Sequence, residues 1–437
     1  MSAHPTNPTN TSYKTAFYFL TSLFFLWGFI TVLVDSLIPR LRELFTLSYF
    51  QAGMVQFAFF MAYFLLSIPA GLILSKIGYK KGIVMGLAIM GIGCLLFYPA
   101  AEYREFVIFF IAYFVLAAGM TVLQVAANPY VAVLGSEEGA SSRLNLSQAF
   151  NSLGTAIAPA VGAALILSDS VKSTAEIEAL DSVAKEAYLE AEASAVQSPF
   201  VAIAAFIALL ALVFVFVKLP KLLEKVPSGN YGQLFQNKNL VLGAFGIFVY
   251  VGAEVAIGSY LTNYFIDMKL YTQIRETGWL RSISESFLQT KLELVDVKAI
   301  VGTFVTFYWS GAMLGRFVGA YLTKVFKPAK VLMTFALVAV VMILLSISNT
   351  GVFAMWTILA VGLFNSIMFP TIFTLSIRGL DDLKPAASGL LCTMIVGGAI
   401  IPPLFGLGTD YFGFQTAFIL VLVCYGYIAW YAKRQAV

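Results

Sequence analysis

Histidine, cysteine and charged residues are all scarce in this chain of 437 residues. The single histidine, His4, stands in a polar stretch at the start, which excludes histidine catalysis, a histidine zinc site and a histidine proton relay from the rest of the chain. The three cysteines each stand alone in an apolar stretch, where cysteine usually acts as a small hydrophobic residue. We therefore expect no disulfide framework, no cysteine metal site and no cofactor.

Charged residues make up only 11% of the sequence, and the net charge of +4 is spread between apolar segments rather than gathered in one patch. This composition argues against a soluble enzyme, a nucleic-acid-binding protein and a disordered chain. The sequence also lacks the Gly-x-x-x-x-Gly-Lys-Ser/Thr pattern of phosphate-binding loops, which argues against a process driven by ATP in this chain.

Apolar residues, in contrast, make up 60% of the chain. A bilayer core requires about 20 apolar residues for each helical crossing, and the sequence offers twelve runs of about that length. The predicted fold is therefore an all-α polytopic membrane protein with twelve transmembrane helices. The runs are 16–38, 51–74, 82–100, 107–135, 144–168, 199–218, 239–266, 299–322, 331–347, 353–376, 386–406 and 414–432.

An even number of crossings places both termini on one side of the membrane, and the basic residues of the connecting segments indicate which side. If the termini are cytoplasmic, sixteen Lys and Arg residues lie in inside segments and ten in outside segments. Seven of those ten lie in two long loops, 169–198 and 267–298, which the positive-inside rule discounts. We therefore predict that both termini are cytoplasmic.

A segment with several lysines, two prolines and a Ser-Gly-Asn sequence interrupts the runs in the middle of the chain and is typical of a linker. It predicts a cytoplasmic tail at 1–15, a six-helix bundle at 16–218, a cytoplasmic linker at 219–238 and a second six-helix bundle with a short tail at 239–437.

Two sequence echoes indicate that these two bundles are related by internal duplication. The loops after the second and eighth runs share the pattern Gly-x-x-x-Ser/Thr-Lys followed by further basic residues. In addition, aligning Pro129 of the fourth run with Pro370 of the tenth places Gln124 on Asn365. Such internal repeats are common in transporters, where the substrate lies between the repeats.

Three charged residues, Asp35, Glu254 and Arg316, lie inside apolar runs, where a charge costs roughly 2.5–3.5 kcal/mol on insertion scales. For Asp35 we predict cation coupling, with a structural carboxylate as the alternative. Glu254 shares a helix face with Tyr250, which favours substrate hydrogen bonding over a second coupling role or a structural ion pair. Arg316 is predicted to form a gating or structural ion pair.

Uncharged polar side chains recur at helical spacing in several runs and predict a polar central cavity. Amides both donate and accept hydrogen bonds, as sugar hydroxyls do. The alternative is that they join helices to one another, at about 0.6 kcal/mol per hydrogen bond. The residues are Gln56 and Tyr63 of the second run, Thr121, Gln124 and Asn128 of the fourth, Asn145, Gln148 and Ser152 of the fifth, and Asn365 of the tenth.

Several motifs resemble those of the major facilitator superfamily, and more narrowly of its fucose/glucose/galactose permease family of bacterial sugar symporters. The loop signature after the second run is nearly matched, with Ser75 in place of the usual Asp. The further motifs are Ser22-Leu-Phe-Phe-Leu-Trp27, Asp35-Ser-Leu-Ile-Pro39, Phe50-Gln-Ala-Gly53, Ala126-Ala-Asn-Pro129, Arg143-Leu-Asn-Leu-Ser-Gln-Ala-Phe-Asn151 and Phe369-Pro-Thr-Ile-Phe373.

This resemblance implies rocker-switch alternating access, a monosaccharide bound between the halves, and a coupling role for Asp35, whose Asp-x-x-x-Pro stretch matches that of the fucose permeases. It also adds Asn151 to the substrate-binding residues, and Lys76 and Arg143 to the gating or structural residues. We expect a functional monomer in the bacterial inner membrane, with lipid and sugar as its partners and no nucleic acid.

Two departures from the fucose permeases bear on the substrate and on the coupling ion. Thr31-Val-Leu-Val34 replaces the asparagines that precede the aspartate, which makes fucose itself doubtful as the substrate. Gln124 replaces a second acid on the fourth helix, and an amide cannot release a proton near neutral pH. We therefore favour sodium, held by Asp35 with oxygens of Thr31, Thr121 and Gln124.

The alternatives are proton coupling, with Glu254 as the second acid, and an uncoupled sugar facilitator. An exporter and a polytopic membrane enzyme fit less well, because the resemblance is to importers and no catalytic cluster stands near a membrane face. The sequence does not identify the sugar.

Overall fold

The computed structural model describes residues 10–35, 49–166, 179–220, 222 and 231–436, and in this part of the chain the regular structure is helical with no strand. Apolar segments form helices because backbone N–H and C=O groups in hydrocarbon must be satisfied within the segment. The helices are α1 (Asn10–Asp35), α2 (Tyr49–Ile77), α3 (Tyr79–Tyr103), α4 (Phe106–Val133), α5 (Ala140–Ile166), α6 (Ser182–Phe216), α7 (Tyr231–Gln236), α8 (Lys238–Asp267), α9 (Leu270–Glu276), α10 (Gly278–Leu288), α11 (Val297–Val325), α12 (Pro328–Ile347), α13 (Gly351–Asn365), α14 (Met368–Ser376), α15 (Lys384–Thr393) and α16 (Gly397–Ala436).

Each of the twelve predicted runs has its helix, which confirms the predicted all-α membrane fold. The tenth run is divided into α13 and α14, and the last two runs are separated by a break at Gly413, whose φ of 78° lies in the left-handed region. Within the described residues, ten segments meet the length and hydropathy expected of a membrane span. One of these, Asp381–Ala436, contains both of the last two runs, and α5, with its many polar side chains, is not among the ten.

Two segments expected to be loops contain helices instead. Part of the predicted loop 169–198 belongs to α6, which begins at Ser182 because the Asp181 side chain accepts hydrogen bonds from the N–H groups of Val183 and Ala184. The predicted loop 267–298 contains α9, α10 and a short 3-10 turn at Leu292–Leu294.

The chain divides into two compact units whose limits do not follow chain order. The first part of α5 clusters with the second unit, whereas α15 clusters with the first. The predicted six-helix bundles, 16–218 and 239–437, are divisions of the sequence and stay a prediction. Unit 1 comprises Met1–Ala140, Phe150–Gln236 and Gly379–Thr393, and unit 2 comprises Ser141–Ala149, Asn237–Arg378 and Met394–Val437.

Close helix packing in unit 1 depends on small residues between α3 and α4. A Cβ atom on Gly86 would lie 2.7 Å from the backbone nitrogen of Leu123, and one on Gly93 would lie 2.5 Å from that of Leu116. Lipid chains are as apolar as the helices themselves, so helix association in a membrane relies on such close contact. This contact fixes α4, the helix that carries Thr121, Gln124 and Asn128.

Candidate functional site

The first polar pair of unit 1 joins two residues predicted to bind substrate. Tyr63 of α2 donates its hydroxyl hydrogen to Oε1 of Gln124 on α4, at 2.7 Å, and both side chains are buried. The tyrosine uses one of the two lone pairs of the Gln124 carbonyl oxygen, and the amide nitrogen can donate to another group. The structure thus brings together two of the predicted substrate-binding residues.

Two threonines predicted to hold a cation bond back to their own helices. Thr121 donates to the Ala117 carbonyl at 2.8 Å, and Thr31 donates to the Trp27 carbonyl at 2.9 Å. In each case the hydrogen is used and the oxygen keeps its lone pairs, which are what a cation requires. The Thr31 hydroxyl also lies 3.9 Å from Sδ of Met120, so the α1 threonine lies beside α4.

The structure describes only some of the remaining predicted side chains of unit 1. The side chains of Asp35 and Gln56 lie outside the described part of the chain, although Asp35 is the last residue of α1. Asn128 is fully buried on α4. Asn151 donates from Nδ2 to the Phe24 carbonyl at 2.9 Å and thereby holds α5 against α1, a contact that engages part of its amide.

Unit 2 contains a buried ion pair that combines two of the three charges found inside apolar runs. A guanidinium nitrogen of Arg316 on α11 lies 3.8 Å from Oε1 of Glu254 on α8, and their side chains are only 17% and 14% exposed. This separation is too long for a hydrogen bond, so the two charges attract without a direct bond. The predicted ion pair of Arg316 thus has Glu254 as its partner in the structure.

Asn365 is the centre of a hydrogen-bond cluster in the same unit, and it precedes Ser366, whose carbonyl accepts a hydrogen bond from Arg316. It donates from Nδ2 to the hydroxyl oxygens of Tyr308, at 2.6 Å, and Tyr425, at 3.2 Å. All three side chains are fully buried. Neither tyrosine was predicted to belong to the site, because the aromatic residues of the chain are too numerous for any one to be singled out. The signal that finds them is their contact with the repeat partner of Gln124.

Three of the six buried polar atoms of unit 2 that have no hydrogen-bond partner among the described residues belong to predicted site residues. They are the Tyr250 hydroxyl, Oε1 of Glu254 and Oδ1 of Asn365. Tyr250 and Glu254 lie close enough for their side chains to interact, although the Tyr250 hydroxyl and Oε1 of Glu254 do not meet strict hydrogen-bond geometry. Unsatisfied buried polar atoms are uncommon in proteins and call for a ligand or water. One donor and two acceptors suit a polyhydroxyl compound.

The two aligned prolines each leave a backbone carbonyl without its helical donor, since proline has no N–H for the residue four positions earlier. Pro129 frees the Val125 carbonyl, which accepts a hydrogen bond from Oγ of Ser388 at 2.8 Å in unit 1. Pro370 frees the Ser366 carbonyl, which accepts one from Nε of Arg316 at 3.2 Å in unit 2.

Both units therefore contain a proline that frees a backbone carbonyl and a side chain that donates a hydrogen bond to that carbonyl. In each unit an amide five residues before the aligned proline is bonded to a tyrosine: Gln124 on α4 accepts from Tyr63, and Asn365, at the end of α13, donates to Tyr308. These tyrosines belong to α2 and α11, which are the second and eighth predicted crossings. The internal duplication inferred from sequence is matched by the geometry.

The other predicted residues lie nearer the helix ends. Lys76 is exposed in the last turn of α2, and Arg143 is partly exposed in the first turn of α5. Gln148 is buried further along α5 and falls in unit 2. Across the described ranges, no three histidine, cysteine, aspartate or glutamate side chains are grouped so that they could hold a metal ion.

A helical membrane protein with buried polar clusters among its spans has the build of a solute carrier, and comparison with known proteins identifies its family. The family model for the Major Facilitator Superfamily matches residues 15–390. The chain is 44% identical to a glucose/galactose transporter of Brucella abortus (strain 9-941), over 98% of this chain and 96% of the relative. It is 41% identical to a putative glucose/galactose transporter of Helicobacter pylori (strain J99 / ATCC 700824), over 95% of each.

A solved structure agrees. A crystal structure of the Escherichia coli fucose:proton symporter is similar with a TM-score of 0.85 and 32% identity, covering 97% of this chain and 99% of that one. The chain belongs to the Major Facilitator Superfamily. The resemblance to its fucose/glucose/galactose permeases, inferred above from short motifs, is confirmed by these relatives.

Proposed function

We propose that this chain is a secondary active importer that couples the entry of a monosaccharide to the entry of a cation. The observation that carries the proposal is the cluster of unsatisfied polar atoms on Tyr250, Glu254 and Asn365 beside a buried ion pair. Hydroxyl groups of a neutral sugar would satisfy one donor and two acceptors at once. Glucose and galactose are the first candidates, since relatives at 44% and 41% identity carry those names.

For the coupling ion we propose sodium, with Asp35 as its charged ligand. Asp35 follows Thr31 by one helical turn, and Thr31 lies beside α4, the helix of Thr121 and Gln124. Both threonine oxygens keep lone pairs for a cation, and the carbonyl oxygen of Gln124 has a second lone pair beyond the one used by Tyr63. The competing proposal is a proton, as in the Escherichia coli relative, and a third is an uncoupled facilitator.

Uptake into proteoliposomes separates these three. With an inward sodium gradient we expect labelled glucose or galactose to accumulate, whereas choline in place of sodium should abolish accumulation. One charge crossing about 100 mV supplies roughly 2.3 kcal/mol, which corresponds to about 50-fold accumulation of a neutral sugar. Accumulation that a proton gradient alone drives, and that does not depend on sodium, would show that the coupling ion is a proton instead of sodium. Equilibration without accumulation under every gradient would indicate a facilitator.

The proposed threonine ligands provide a second prediction. Replacing Thr121 by valine removes the oxygen and should raise the sodium concentration for half-maximal uptake about 5- to 30-fold, since one lost ligand contributes about 1–2 kcal/mol. The matched control is Thr357→Val on α13, because Thr357 makes the same kind of bond to its own helix, to the Phe353 carbonyl at 3.1 Å. Equal sodium dependence in the two variants would remove Thr121 from the cation site.

The tyrosine of unit 1 gives a third prediction. Tyr63→Phe should weaken sugar binding about 5- to 30-fold, because the Gln124 carbonyl loses its donor and the amide loses its fixed orientation. Tyr130→Phe is the control, since Tyr130 is a buried tyrosine of the same unit whose hydroxyl donates to the Pro220 carbonyl. Titration of purified protein with sugar measures both. Equal affinities in the two variants would show that Tyr63 has no role in binding.

We further propose that the protein acts as a monomer in the bacterial inner membrane with both termini cytoplasmic. The distribution of lysine and arginine supports this orientation. Proteolysis of a tag at either terminus in right-side-out and inverted vesicles tests it, and cleavage from the periplasmic side would reverse the topology.

A further inference from the structure

The loop between α8 and α11 is a rigid helical hairpin in unit 2. Helices α9 and α10 meet at Thr277, and the return to α11 is held by Arg275, whose guanidinium donates to the carbonyls of Leu292, at 3.3 Å, and Val295, at 3.4 Å. Leu270 and Ile274 of α9 are fully buried. These contacts join α9 to the segment that leads into α11.

Helix α10 has more apolar surface than the protein covers. Leu280 and Ser284 form a stripe that is fully buried. The neighbouring stripe, Trp279, Ile283 and Phe287 at i, i+4 and i+8, is only partly covered by the protein, and its two aromatic side chains are 52% and 55% exposed. Large exposed aromatic groups in one row are typical of a surface that contacts something apolar.

Two aromatic contacts place this stripe at a definite depth along the membrane spans. Phe287 packs edge-on against Phe307 of α11, with ring centroids 6.0 Å apart, and Trp279 stacks on Trp356 of α13 at 6.2 Å. A hydrocarbon core of about 30 Å corresponds to about 20 helical residues. Twenty residues back from Lys324, in the last turn of α11, is Phe304, one turn from Phe307.

The second span gives the same depth. The residue twenty positions before Ser376, the last residue of α14, is Trp356. Both partners of α10 therefore stand at the boundary between the hydrocarbon core and the headgroups, where tryptophan and other amphipathic aromatic residues concentrate in membrane proteins.

The polar side of α10 carries one arginine paired with two glutamates, so these three side chains have a net charge of −1 and do not favour anionic lipid. Arg281 donates to Oε1 of Glu285 at 3.0 Å and to Oε1 of Glu293 at 2.6 Å. A backbone hydrogen bond and the bond from Arg281 lower the pKa of the Glu293 carboxyl, so the group stays ionised at neutral pH. Because these charges satisfy one another, anionic lipid is not needed to hold the helix, and apolar contact is what remains.

We propose that α10 is an interfacial helix, and that its stripe of Trp279, Ile283 and Phe287 inserts into the headgroup layer of an uncharged lipid surface on the membrane face opposite Lys324. The stripe continues the lipid-facing surface of the spans it packs on, and the ion pairs of Arg281 face water. The helix lies in the membrane plane and contacts lipid on one side and the protein on the other.

Fluorescence quenching tests this with Trp279 as the single tryptophan, the other four being replaced by phenylalanine. In phosphatidylcholine vesicles we expect strong quenching by lipids brominated near the headgroup, weaker quenching by lipids brominated near the chain ends, and little quenching by aqueous iodide. The pattern should not change with salt concentration. Strong iodide quenching with none from brominated lipid would overturn the proposal, and so would maximal quenching from the chain ends.

A second experiment leaves all tryptophans in place. A fluorescent label on Phe287→Cys should be quenched by brominated lipid and shielded from iodide, whereas the same label on Ser282→Cys, at the exposed polar side of the same helix, should respond in the opposite way. The three native cysteines are buried and should not react. Equal responses at the two positions would show that α10 has no lipid-facing side.

Discussion

Proteoliposomes containing Asp35→Asn are expected to bind and exchange the sugar but to fail to concentrate it. Neutralising the carboxylate removes the charged partner of the coupling cation, while the polar residues of α4, α8 and α13 proposed to bind the sugar are unchanged. Under an inward cation gradient of about 100 mV the parent should accumulate sugar roughly 50-fold, and the variant should stop at equal concentrations inside and outside.

Asp267→Asn is the control, because Asp267 is an exposed carboxylate at the last position of α8 and belongs to neither proposed site. This control should accumulate sugar as the parent does. Exchange of labelled for unlabelled sugar, measured without any gradient, shows that Asp35→Asn is folded and competent to bind. Accumulation by Asp35→Asn at the parental level would assign coupling to another group.

The ion pair of unit 2 is expected to give the second large effect. Glu254→Gln leaves the guanidinium of Arg316 mostly buried without an opposite charge, and removing one member of a buried pair typically costs about 3–5 kcal/mol of stability. It also removes an acceptor proposed to bind a sugar hydroxyl, so affinity should fall about 5- to 150-fold. Thermal unfolding and sugar titration measure these two effects separately.

The double variant Glu254→Gln with Arg316→Gln distinguishes a role of the ion pair in sugar binding from a purely structural role. Neutralising both charges should recover most of the lost stability, because no unpaired buried charge is left, yet sugar affinity should stay low. Glu293→Gln is the control at an exposed pair, where the loss is expected to be below about 1 kcal/mol with no change in affinity. Parental affinity in the double variant would make the pair purely structural.

The sequence was sufficient for the helices, because long apolar runs have few alternatives in hydrocarbon. It also aligned Asn365 with Gln124 through the two prolines, and in the structure each amide is bonded to a tyrosine, whereas their role in binding stays a prediction. It could not indicate that Tyr308 and Tyr425 are the partners of Asn365. Those contacts depend on how helices far apart in sequence rotate against one another, and aromatic residues are common along every run.

The segment 267–298 contains helices that the sequence did not predict. Its charged residues interrupt the apolar runs and therefore predict a loop. In the structure, Arg281 instead forms ion pairs with Glu285 and Glu293 on one side of α10. Amphipathic helices shorter than a membrane span are poorly detected by a search for long apolar runs. The sequence also could not show that Asn151 joins two helices, because asparagine suits both helix contact and substrate binding. Only the structure shows its hydrogen bond to the Phe24 carbonyl.

The carbonyls freed by Pro129 and Pro370 also have a kinetic consequence. A backbone carbonyl left open in a low-dielectric interior is unfavourable by several kcal/mol. Any conformational exchange that draws Ser388 away from Val125, or Arg316 away from Ser366, must pass through a state in which that carbonyl is open or hydrated. These two hydrogen bonds would then contribute to the height of the barrier, and so to the turnover rate, without changing the affinity of either end state.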